Sequence, residues 1–149
     1  MTVRLRHQES GSAIVEFVWL GLILLVPLVY ILLAVFDNQR ASYGVSAASR
    51  AAGRVFVLAP DQASAYARAD WAARVALADQ GVDAGSAAVT ISCRPDPARC
   101  LSPGAVVTVV VRTTQPLPMT PSLMGASRPS VTVDSTHTEP YGTFREDRS

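Results

Sequence analysis

One carboxylate in this chain stands where a carboxylate is costly. Glu16 is the only charged residue from Ala13 to Phe36, in the run AIVEFVWLGLILLVPLVYILLAVF. An ionised acid in an apolar membrane core costs on the order of 2.5 kcal/mol or more. Glu16 therefore either marks the rim of the segment, helped by a helix N-terminus, or has an opposite charge as its partner. Two other groups invite chemistry. Cys93 and Cys100 have six residues between them, and Asp134, Ser135 and His137 lie close together. A catalytic triad does not fit: strand alternation puts Ser135 and His137 on one face and Asp134 on the other. Zinc lacks ligands, because the only histidines are His7 and His137, on opposite sides of the apolar run. A redox pair would show C-x-x-C spacing. The cysteines are thus expected to form a structural disulfide in an oxidising compartment, contributing roughly 2–3 kcal/mol by loop closure. No nucleophile elbow, phosphate loop, HExxH or dinucleotide fingerprint is present, and the paired acids Glu146 and Asp147 fall in a polar C-terminal stretch. The chain is expected to be no enzyme, with no cofactor and no metal.

The element that positions Glu16 is the apolar run itself. As a helix, residues 13–36 span roughly 36 Å at about 1.5 Å per residue, against a bilayer core of about 30 Å, so the segment crosses with some tilt. A cleaved secretory signal has an apolar region of only ~7–15 residues and an A-x-A-like site; this run is longer and passes into Asp37-Asn38-Gln39-Arg40 without one. A buried core helix would need apolar surroundings that the rest of the chain does not supply. Pro27, mid-span, removes one helix hydrogen bond and is expected to kink the helix. Arginines flank the run on both sides, Arg4 and Arg6 before it and Arg40, Arg50 and Arg54 after it, so the positive-inside rule does not decide the orientation. The short N-terminal tail and the cysteine pair favour a cytoplasmic N-terminus and an extracytoplasmic C-terminal part.

A short basic leader, then Gly11-Ser12-Ala13-Ile14-Val15-Glu16-Phe17 and a long apolar run, resembles a type IV prepilin signal over about the first 60 residues. Within that superfamily, Glu-Phe after the glycine spacing, Pro27 in the apolar run and a small Ala-rich, β-rich remainder resemble the TadE-like minor pilins or pseudopilins of tight-adherence (Flp) pilus systems. The resemblance implies that a membrane-embedded prepilin peptidase cuts between Gly11 and Ser12. Glycine suits that position because it adopts extended backbone readily. It also implies that Glu16, at the fifth position of the mature chain, pairs with the free amine of a neighbouring subunit, and that Glu16, Phe17 and Pro27 serve assembly and recognition. Ser12 departs from the Phe that many pilins carry first. Implied partners are membrane lipid, the prepilin peptidase, other pilin-like subunits and the assembly platform. The alternative is a single-pass envelope protein with an uncleaved anchor and an extracytoplasmic binding domain.

Beyond the anchor, Val45, Ala48, Ala52, Val55 and Phe56 recur at helical steps, so the helix is expected to continue over 37–58, interrupted weakly by Gly44 and Gly53. Small residues (Ser46, Ala47, Ala51) allow close packing there. Ala59-Pro60-Asp61 reads as a break, with Asp61 as N-cap of a second helix from Gln62 to Gln80. Its expected apolar stripe is Ala67, Trp71, Val75 and Ala78, with an Asp70–Arg74 pair and Gly81 as C-cap. Strands are expected over Ala88–Cys93, Ala105–Thr113 and Ser130–His137, separated by Pro-containing loops, Arg94–Gly104 and Gln115–Pro129, the second with Met119 and Met124. Tyr141 to Ser149 is expected to fray. The formal net charge of +1 and 13 scattered arginines, with no lysine, give no field for nucleic acid. The expected organisation is a leader (1–11), a transmembrane helix (12–36), its extension (37–58) and a small extracytoplasmic α+β domain (59–149) with a flexible tail and an antiparallel sheet of about three strands.

Overall fold

The computed structural model describes residues 10–117 and 129–149, so the expected leader up to residue 9, Met119 and Met124 lie outside the described residues. Helix α1 (Ser10–Val57) is continuous, running through Pro27, Gly44 and Gly53. The expected weak interruptions at the two glycines are absent. The chain divides into two units, Met1–Val35 and Phe36–Ser149. In the first, every Val, Leu, Ile and Phe from Ile14 onward is at least 45% exposed. A helix apolar on all sides is unstable in water, and it is stable where lipid or other helices surround it. The helix is long and apolar enough to cross a membrane.

The second unit is α+β, the fold class expected of the chain, and it takes in the part of α1 from Phe36 onward. Helix α2 (Gln62–Asp79) follows α1, and the strands β1 (Ala88–Arg94), β2 (Val106–Pro116) and β3 (Ser130–Pro140) form an antiparallel sheet in the order β1-β2-β3. In its register Val109 sits opposite Ile91 on one side and His137 on the other. Alternation then assigns Val107, Val109, Val111 and Thr113 of β2 to one face, and all four are buried. Gly53 of α1 lies against this face: a Cβ there would meet His137 Cδ2 at 3.2 Å and come within 3.8 Å of Val109. At Gly44 a Cβ would meet Val82 Cγ2 at 3.0 Å. The two glycines thus permit close approach of α1 to its neighbours. Ala41, Val45, Ala48, Ala52 and Phe56 share the buried side of α1, and Phe56 meets Tyr66 of α2 edge-on with centroids 5.1 Å apart.

α2 begins and ends as its sequence dictates but buries a different face. The Asp61 side chain accepts from Ser64 N at 2.8 Å, satisfying an amide that the first turn leaves free. Gly81 adopts φ +67°; its N–H donates to Ala78 O and that of Val82 to Leu77 O, which is the paired-bond helix ending that favours glycine. Asp70 and Arg74 pair at 2.8 Å. The buried residues, however, are Ala65, Ala69, Ala72, Ala73 and Leu77. The expected stripe of Ala67, Trp71, Val75 and Ala78 faces outward, with Trp71 68% exposed. Both faces repeat at helical spacing. The inward one is small because α1, α2 and the sheet approach closely, and a Trp there would hold them apart.

The stretch expected to fray is tied down. Tyr141 is buried, and its hydroxyl donates to Glu146 O at 2.7 Å. Arg148 N donates to Leu101 O, and Gln62 N donates to Arg148 O. Arg99 also pairs with Asp147. A polar tail gains order here because its backbone groups find partners on the loop before β2 and at the start of α2.

Candidate functional site

The motif residues lie along the first turns of α1. Gly11 and Ser12 are helical, so the Gly11–Ser12 bond sits in the first turn. Glu16 comes about two turns from the start at 3.6 residues per turn. It is exposed and remains the only charge among the exposed apolar side chains from Ala13 to Phe36. Because α1 begins at Ser10, Glu16 lies beyond the reach of the helix N-terminal field, which falls off within the first turn. Phe17 is exposed beside it, and Pro27 is exposed within the helix. Helical spacing also puts residues 12 and 16 on one face. A free amine at Ser12 would therefore have a carboxylate one turn away on its own chain as well as any that a neighbour presents.

The cysteines meet as expected. Cys93, near the end of β1, and Cys100, in the following loop, form a disulfide with Cα atoms 5.3 Å apart. Both are buried. α2 clamps the loop from outside: Gln62 Oε1 accepts from Cys100 N at 2.8 Å, while Gln62 Nε2 donates to Ala98 O at 3.0 Å. Among the described residues no cluster of His, Cys, Asp and Glu is arranged to hold a metal. No family model, no curated protein and no solved structure matches the chain.

Ser135, His137 and Glu139 share the inner, half-buried face of β3, while Asp134 is exposed on the other. His137 Nε2 lies 3.0 Å from Glu139 Oε2, and Ser49 donates to Ser135 Oγ at 3.3 Å. The three residues that suggest a triad in the sequence are therefore not brought together.

Arginines that are scattered in the sequence are gathered by the fold. Arg50 and Arg54 of α1 and Arg145 of the C-terminal stretch line one cleft of about 510 Å³, together with Val57, Leu58, His137, Glu139 and Pro140. Arg50 donates to Ser46 Oγ. Arg145 Nη1 donates to Val57 O at 2.8 Å, and its guanidinium lies 4.7 Å from the centre of the Tyr141 ring. One signal was legible in the sequence: Arg50 and Arg54 are four apart, and no acid occurs from Asn38 to Pro60. That Arg145 joins them depends on the path of the tail.

Among the described residues, electrostatic shifts fall on surface groups. Hydrogen bonds from the Ser64 amide and hydroxyl lower Asp61 below its ordinary 3.8. Bonds from the Ser149 hydroxyl and amide lower Asp147, with the charge of Arg99 helping. The hydrogen bond to Asp70 raises Arg74. These are the marks of helix caps and surface pairs.

Proposed function

We propose that the protein is a structural subunit of pilin type, a minor pilin or pseudopilin of a tight-adherence (Flp) pilus or a related secretion system. The observation that carries this reading is the apolar helix of the first unit: unbroken, with its large aliphatic side chains exposed, and with Glu16, five residues after Gly11, as the sole charge from Ala13 to Val35. A lone anchor needs no carboxylate at that depth. A subunit that must register against neighbours does, because in a low dielectric an unpaired charge is costly and a correctly paired one selects a single alignment.

On this reading a prepilin peptidase cuts the Gly11–Ser12 bond, and the amine of Ser12 becomes the partner of a neighbour's Glu16. The first turn of α1 must open for the cut. That opening is inexpensive at a helix end containing glycine. The N-terminus is cytoplasmic and the α+β unit extracytoplasmic, which the buried disulfide supports because such bonds persist in oxidising compartments. The chain works by assembly with pilin-like subunits and their platform, not by catalysis. Glu16→Ala is expected to leave the chain in the membrane but remove it from sheared pili or from the isolated assembly complex. Incorporation at the wild-type level would refute the pairing role. An uncleaved anchor carrying a binding domain would show that insensitivity.

A further inference from the structure

We propose that the arginine-lined cleft formed by α1, β3 and the C-terminal stretch binds an acidic segment of a protein partner. Three guanidiniums converge there, and neutral groups position two of them: Ser46 Oγ for Arg50, and Val57 O with the Tyr141 ring for Arg145. Their charge is therefore oriented but not neutralised. Among the described residues the Arg54 guanidinium has no hydrogen-bond or ion-pair partner. The one carboxylate in the cleft, Glu139, is bonded to His137.

Placing Arg50 and Arg54 one turn apart on α1, with no acid on that stretch, costs helix stability through like-charge repulsion. An anionic ligand converts that cost into binding, and guanidinium forks are matched to carboxylates by two parallel hydrogen bonds. The shape selects the kind of anion. Val57, Leu58 and Pro140 give the cleft apolar walls, and its volume of about 510 Å³ far exceeds one phosphate group. A chain segment that alternates acids with apolar side chains uses both features, whereas a compact phosphate uses only the charge. Leu58 is already 57% exposed at this edge, the sort of apolar contact that a docked segment would cover. This inference does not depend on cleavage at Gly11 or on pairing at Glu16.

The test uses the full chain in a neutral detergent and a short fluorescent peptide of alternating Glu and Leu. Binding is expected, weakening as salt rises and about tenfold in Arg54→Gln, the loss of a charge-assisted hydrogen bond. Arg68→Gln, on the exposed side of α2, is expected to leave affinity unchanged. Three results would overturn the proposal: no binding of the Glu peptide, equal binding of its Gln counterpart, or displacement by inorganic phosphate or glycerol 3-phosphate at peptide-like concentrations. The last would make the cleft a phosphate or lipid-headgroup site.

Discussion

Single residues divide here into those that fold the domain and those to which the proposed function gives a part in assembly. Asp61 belongs to the first kind. Its carboxylate caps α2 and is held below its ordinary value by the Ser64 hydrogen bonds. A depressed carboxylate contributes stability above its unfolded value, and that contribution is lost as pH falls through the folded value. Asp61→Ala is therefore expected to melt a few degrees below wild type at neutral pH, and the gap is expected to close below pH 3.8. Thermal melts across pH check this; a gap that persists under acid conditions would mean the cap acts without its charge. Glycine positions carry a different message. Gly53→Val is expected to cost about 1–3 kcal/mol, because a side chain there meets His137 and Glu139 before it meets solvent. Denaturant unfolding measures it. The caps were legible in the sequence because their chemistry is local: an Asp before a helix, a Gly after it. The packing role of Gly44 and Gly53 was not, since nothing nearby in sequence shows that Val82 and His137 come to lie against them.

At the scale of elements, the sequence pattern located each described helix and strand. The β-branched run of β2 and the alternation of β3 made the sheet readable. Hydropathy failed on the direction that α2 faces. An Ala-rich helix carries nearly the same pattern on two sides, so the heavier stripe around Trp71 resembles a core face. The structure puts Ala65, Ala69, Ala73 and Leu77 inside. Opposite outcomes follow for two substitutions. Trp71→Ser is expected to shift stability by less than about 0.5 kcal/mol, as for an ordinary surface position, and Ala69→Leu to cost about 1–3 kcal/mol through overpacking. Guanidinium denaturation of both variants would expose an inverted helix if the ranking reversed. The disulfide joins the end of β1 to the loop that Gln62 clamps. Cys100→Ser is expected to remove about 2–3 kcal/mol, lowering Tm by about 10–15 °C, and a nonreducing mass measurement verifies the lost bond.

The whole molecule joins an α+β domain with its own buried core to a helix whose side chains have no core to enter. That apolar helix was fully legible, since length and composition alone make it so. The arginine cleft was not, because it draws residues from positions about 90 apart in sequence, a separation that only the tertiary fold can close. The order of the tail is hidden for the same reason: its polar composition signals exposure, while its backbone bonds to Leu101 and Gln62 set its course. The motif that carries the proposed function is local, Gly11 through Phe17, and the proposal makes its consequence a covalent change in the chain. Mass spectrometry of the mature N-terminus, on protein purified from its native membrane, tests that most directly. The account predicts Ser12 as the first residue; intact Met1 or Thr2 on all of the protein would contradict it.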